Sequence, residues 1–318
     1  MSETAISKSY LQFDTRLMEE TVLLAIAGYQ EERRFRKERD GIYEIEDIDE
    51  REKRFEECHA AWFQYLRLDR PLLAALAEQS VLRERTRLCA VTPAASPRDE
   101  GADLYDGAAS SAGTDSAKPA IAIMLRPATL LNTAFLLPFL RHELMHVADM
   151  LDPAFGYERS LPHSGFGSSR DNLVRERYTV LWNVWIDGRL RGRGLTCPVS
   201  RDKRRAQFLE TFGWLGPAAE NTFAALYDSV AQTHRGLMDL AQNPEAGLDC
   251  RPDAGHRTRH CSLCRFPAYH FADAVELPAD ALHEIASDYP DWRPEHGLCI
   301  QCADLYRSRS SGATGLEV

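Results

Sequence analysis

The 318-residue chain lacks any stretch of about 20 consecutive apolar residues, so no segment reads as a membrane-spanning helix. Its most apolar stretch, 128–140, is interrupted by Asn132 and Thr133 and is too short to span. The opening MSETAISKSY has neither a basic stretch nor an apolar one, so it does not read as a secretory signal. Positive charge is in deficit: 38 Lys and Arg stand against 48 Asp and Glu, a net charge of −10. That argues against a whole-molecule electrostatic grip on nucleic acid or an anionic membrane, and leaves only a local basic patch to serve such a role. Lysine itself is scarce, with five in the chain, and internal repeats are absent. What remains is 44% hydrophobic and 27% charged, an ordinary globular composition long enough for two domains. A cytoplasmic location follows as the expectation. There thiols stay reduced, so the eight cysteines read as metal ligands or packed thiols, not disulfides.

The pattern of apolar residues predicts an α-rich α+β fold. Asp14 and Thr15 can cap a helix carrying Leu17, Leu23, Leu24 and Ile26, running on through the mixed-charge segment 31–40 to Gly41. A second helix starts near Asp47, and a third follows Pro71, a residue suited to a first helical position. RLCAV (87–91) and AIAIML (120–125) read as strands. Between them 92–119, rich in Ala, Ser, Gly, Pro and Asp, reads as a flexible insertion. Helices are expected at 137–151, with Pro138 in the first turn, and at 172–191, 202–213 and 218–242. The predicted organisation is an N-terminal helical region (1–84), a metal-binding core (85–245), a four-cysteine module (246–307) and a disordered tail (308–318).

Two constellations carry chemistry. FLRHELMHVADM (139–150) contains H-E-x-x-H, and on a helix His142 and His146 project from one face with the spacing to hold one metal ion. Glu143 is placed to take a proton from a metal-bound water, whose pKa such an ion lowers from about 15.7 to about 7. Zinc suits imidazole and carboxylate donors best. Two solvated histidines on an amphipathic helix are the plainer alternative. The flanking Leu140, Leu144, Val147 and Leu151 favour a buried helix, where polar groups need partners.

RHELMH, with the preceding strand and a following helix, resembles the zincin superfamily of HExxH metallopeptidases over some seventy residues. The resemblance implies a zincin-like core, one catalytic zinc, a peptide or protein substrate and Glu143 as general base. A third ligand is needed. On the downstream helix Glu176, Val180, Asn183 and Asp187 form one stripe. The gluzincin branch usually has Glu where Asn183 stands and Asp four residues later, where this chain has Asp187. Asp187 is the first choice, either on the metal or orienting a histidine behind it. Its alternative is an ion pair with Arg189 or Arg191. His163, in LPHSGFG, follows, since that region resembles SprT-like proteases, although Ser164 interrupts their His-Gly pair; Glu176 ranks third. Asp149, on the ligand face, could orient an imidazole or pair with an arginine. A substrate peptide would add to an edge strand near 120–125.

The second constellation is Cys261-x-x-Cys264 with Cys299-x-x-Cys302, two knuckles that can close a tetrahedral structural zinc site. The 34-residue gap between them leaves room for a helix near 279–286, and the module resembles zinc-ribbon or treble-clef domains. Cys250 and His260 are alternative ligands. Arg251, Arg257, Arg259 and Arg265 against Asp253, with Phe266 and Tyr269 interleaved, form a basic patch that could meet nucleic acid. That reading ranks behind a purely structural site. The function expected is a zinc-dependent metallopeptidase-like hydrolase with one catalytic and one structural zinc and no membrane partner. The alternatives are a catalytically inactive zincin-fold scaffold and a nucleic-acid or protein binder acting through the cysteine module.

Overall fold

The computed structural model describes residues 10–105, 118–159, 168–245, 259–268 and 271–312. These fall into two compact units. One comprises 1–159 with 180–238, and the other 160–179 with 239–318.

The first unit is built on a four-stranded mixed sheet, α-rich on either side in sequence. Strands β1 (Leu11–Phe13), β2 (Cys89–Pro93), β3 (Gly101–Tyr105) and β4 (Ala120–Leu125) lie in the order β1-β2-β4-β3. The first three neighbours in that order run parallel, and β3 is antiparallel to β4, with Ala102 opposite Ile123. Between β1 and β2 come α1 (Thr15–Ile26), α2 (Glu31–Ile42), α3 (Ile48–Tyr65), α4 (Arg70–Ala77) and α5 (Ser80–Arg85). Asp14 caps α1 by accepting from Leu17 N–H at 3.0 Å, and Asp47 caps α3 through Glu50 N–H at 2.8 Å. The expected continuous helix to Gly41 is broken at Gly28, whose φ of +81° is a left-handed turn that favours glycine.

The N-terminal helical region shares its core with the sheet. Leu17, Leu72, Leu76 and Leu82 pack with Val91, Ile121, Ile123 and Leu125, and with Leu136, Leu140, Leu144 and Val147 of a later helix. Val22, Ile26, Phe35, Trp62 and Phe63 make a smaller satellite core.

The segment 92–119, expected as a flexible insertion, holds the end of β2 and the whole of β3; 106–117 lie outside the described residues. Gly101 and Asp103 lower the strand propensity of β3, which is why the alternation there was not legible. With β3 in place, β4 is paired on both sides and is not the sheet edge. Among the described residues the sheet edge beside the candidate site is β3, which corrects the expected peptide-docking edge at 120–125.

After α6 (Pro127–Leu131), helix α7 runs Thr133–Leu151 and carries both histidines. It begins four residues before the expected start because Asn132 caps it, accepting from Phe135 N–H at 3.2 Å, and Pro138 therefore sits inside it. Then come α8 (Ser168–Gly192), α9 (Arg201–Phe212), α10 (Pro217–Tyr227) and α11 (His234–Gln242). The single helix expected over 218–242 is two, because Thr233 caps a new start by accepting from Gly236 N–H at 3.1 Å. No helix among the described residues is long and apolar enough to cross a membrane.

The second unit has two short ladders, β5 (Arg259–His260) with β6 (Pro267–Ala268) and β7 (Phe271–Ala272) with β8 (Leu298–Cys299). To these it adds α12 (Ala279–Asp288) and α13 (Ile300–Gly312). Helix α13 runs to Gly312, which corrects the expected disordered tail over 308–312; residues 313–318 lie outside the described residues. Leu263, Leu277, Ile285, Trp292, Leu298 and Tyr306 close a small core with Cys261 and Cys299.

Candidate metal centres

His142 and His146 lie one turn apart on α7, with ring centroids 5.0 Å apart. The stripe Leu136–Leu140–Leu144–Val147 turns to the sheet and leaves the histidines on a neighbouring face. Both imidazoles point their Nε2 atoms at one group, Asn183 of α8. Its Oδ1 lies 3.1 Å from His142 Nε2 and 2.9 Å from His146 Nε2. Asp187, one turn further along α8, meets the other side of the first ring: its Oδ1 accepts from His142 Nδ1–H at 2.8 Å. Its Oδ2 accepts from Arg204 Nε–H of α9 at 2.5 Å. An acceptor on Nδ1 fixes the tautomer that leaves a lone pair on His142 Nε2.

The donor set facing the shared point is thus two imidazole nitrogens and one side-chain amide. Asp187, expected first as a direct ligand, has both oxygens engaged elsewhere, which corresponds to the alternative of an orienting group behind His142. It pairs with Arg204, not with Arg189 or Arg191. Glu176 is exposed, and His163 lies outside the described residues.

Glu143 is half-buried on α7, and its Oε2 accepts from Ala102 N–H of β3 at 3.3 Å. Gly101 permits that approach, since a Cβ there would come within 3.2 Å of the same oxygen. Desolvation pushes the Glu143 carboxyl above its ordinary value, against the pull of His142 and the Ala102 hydrogen bond. Desolvation, reinforced by His142 charge, holds His146 well below its ordinary value, so it is a neutral imidazole with a lone pair to offer. Asp149 turns away from the histidines. It takes a bidentate pair from Arg189 at 2.8 and 2.5 Å and Trp182 Nε1–H at 2.8 Å, and Arg189 lies 3.6 Å over the Trp185 ring. Of its two expected roles it fills the structural one. Tyr157 packs against Trp182 and His234 and serves as packing.

Two residues of this cluster were not chosen from sequence. Asn183 stands in the same stripe, but by residue type the carboxylate four residues later is the stronger metal donor. Arg204 had a signal of its own: with Phe208 and Phe212 it forms the buried face of α9, and a guanidinium on such a stripe needs a buried anion.

In the second unit the four cysteines come together as expected. Cys261 and Cys264 lie on the turn joining β5 to β6, where Cys261 N–H bonds Phe266 O and Arg265 takes φ +60°. Cys299 ends β8, and Cys302 sits in the first turn of α13. The Sγ atoms of Cys261 and Cys302 are 3.8 Å apart, those of Cys264 and Cys299 3.9 Å, and all four lie within 4.8 Å of one another. A tetrahedron with Zn–S bonds of about 2.3 Å has S···S edges of about 3.8 Å, so the cluster fits zinc. It is too open for disulfides. Donation from the other three sulfurs pulls the Cys261 thiol far below its ordinary value. Among the described residues this is the one place where three or more His, Cys, Asp or Glu donor atoms converge. At the histidine pair the third group is an amide. Cys250 lies outside the described residues, as does most of the basic patch at 251–259.

No protein-family model, curated protein or solved structure matches the chain.

Proposed function

We propose that the first unit is a zinc-dependent, metallopeptidase-like hydrolase site and that the second unit holds a structural zinc. The observation that carries the first reading is the convergence of two imidazole Nε2 atoms, one helical turn apart, on a third donor, with a desolvated carboxylate on the same helix beside an edge strand. His142, His146 and Asn183 would hold the ion, with Asp187 and Arg204 fixing the His142 ring. When bound, zinc supplies Lewis acidity and acidifies water to a pKa of about 7. Glu143 holds the proton taken from the nucleophile at its carboxylate and passes it to the leaving group, a role its raised proton affinity suits. The β3 edge aligns a peptide by backbone hydrogen bonds.

The test is a Glu143→Gln variant against wild type on a broad peptide library, with metal content measured in parallel. Retained zinc with cleavage reduced at least about 100-fold is the expected result. Equal inertness of both proteins would sink the hydrolase reading. It would favour the second one, a metal-binding scaffold, which the neutral amide at 183 in place of a carboxylate supports.

A further inference from the structure

The antiparallel pairing of β3 with β4 decides which of its backbone groups face outward. In such a pair alternate residues direct N–H and C=O toward the neighbour or away from it. Ala102 N–H goes to Glu143, so Ala102 and Leu104 are the outward residues of β3. Ile121, opposite Leu104, sends its own N–H to Leu88 O on the β2 side, in agreement. Among the described residues the outer edge of β3 therefore presents four groups: the N–H and C=O of Ala102 and of Leu104.

Three of these four are already taken by side chains of the chain itself. Glu143 Oε2 accepts from Ala102 N–H at 3.3 Å, and Asp103 Oδ1 accepts from Leu104 N–H at 2.7 Å. Arg159, in the segment after α7, donates from Nη2 to Leu104 O at 2.8 Å. Charged side chains laid along an edge strand are a recognised way of refusing another strand.

We infer that Asp103, Glu143 and Arg159 form a clasp that closes the outer edge of β3, and that a substrate strand opens it by taking Ala102 N–H from Glu143. The inference rests on the hydrolase reading only for the identity of the incoming strand. Docking and release of the base then become one event: the carbonyl that pairs with Ala102 frees the carboxylate that the reaction needs. A chain that cannot reach Ala102 leaves Glu143 occupied. Selection thus acts on extended peptides long enough to displace Arg159 from Leu104 while engaging Ala102.

Amide hydrogen exchange on the whole protein tests the clasp without reference to activity. Asp103→Ala should raise exchange at Leu104 about threefold or more, and Glu143→Ala should do the same at Ala102. Asp103→Asn, which keeps an acceptor oxygen, should stay near wild type. Asp103 and Arg159 are exposed, so their variants carry little folding risk. Wild-type amides at 102 and 104 that exchange at the rate of an open edge and ignore these variants would overturn the clasp. On a random octapeptide library, Arg159→Ala should lower KM about threefold or more with kcat held. Cleavage with an unchanged KM would overturn the clasp as a barrier to substrate. Exchange as expected, with no cleavage by wild type or Arg159→Ala, would keep the clasp and remove the hydrolase.

Discussion

His142 and Arg204 share a single carboxylate: Asp187 receives the imidazole Nδ1–H on one oxygen and the guanidinium on the other, with only 1% of its surface exposed. The ring that would bind metal is therefore held by a buried ion pair spanning three helices. Asp187→Ala should strand the Arg204 charge and cost about 3–5 kcal/mol in urea unfolding. It should also weaken metal binding at the histidines about 10–100-fold. The double variant Asp187→Leu/Arg204→Met should recover most of the stability and none of the affinity. Recovery of both would show that Asp187 does not orient His142.

Asn183 carries the claim about the third donor. Asn183→Leu should remove the metal from the histidine pair while leaving the cysteine zinc in place. Elemental analysis would then give one zinc per chain where wild type gives two. Two retained zincs would rule out a role for the amide in coordination.

The cysteine cluster makes the opposite prediction. Cys264→Ser should release one zinc, and a strong chelator both; either should unfold the second unit's core, since a core as small as the one around Cys261 and Cys299 would draw its folding energy from a bound ion. Near-native amide protection across α12 and α13 in the chelated protein would refute a structural role.

Gly188 follows Asp187 on α8, and a Cβ there would meet Tyr227 O of α10 at 1.8 Å and its carbonyl carbon at 2.8 Å. Two backbones are in contact, so no side chain can yield. Gly188→Ala should cost about 3 kcal/mol or more, read by thermal unfolding, and should lower metal affinity by displacing Asp187. A cost below about 1 kcal/mol would contradict this packing.

His59 is 4% exposed, lies between the rings of Phe35 and Phe55, and has no hydrogen-bond partner for Nε2. Burial lowers its pKa below the ordinary 6.5, with Glu19 opposing. At pH values above 6.5 both folded and unfolded chains hold it neutral. Below that value the unfolded chain binds a proton that the fold refuses, so stability falls with pH until the native pKa is passed. His59→Leu should flatten unfolding free energy between about pH 7 and 5, by up to about 1.4 kcal/mol per pH unit. Identical slopes in the two proteins would overturn the assignment.

Much of this architecture is legible in the chain because local chemistry announces it. Asp14 and Asp47 cap where they stand, Pro71 opens α4, and the two C-x-x-C pairs close on one another. Features that depend on distant partners were not legible. Strand β1 is three residues long and β3 carries Gly101 and Asp103, so neither has a pattern that survives without its neighbour. The division of labour between Asn183 and Asp187 follows from Arg204, a residue seventeen positions beyond Asp187 that neutralises it. An ion pair made between helices has no spacing rule by which to be read.

Strand β1 has a practical corollary. Leu11–Phe13 covers the flank of β2 opposite β4, and Asp14 N–H bonds Val91 O at 2.8 Å where the strand passes into α1. Trimming the N-terminus up to the first helix would leave Cys89 N–H and Val91 C=O without their partners, on two residues that are otherwise wholly buried. Shortened versions that begin at residue 15 should self-associate, so a truncated protein has to keep Tyr10 to Asp14 to stay monomeric.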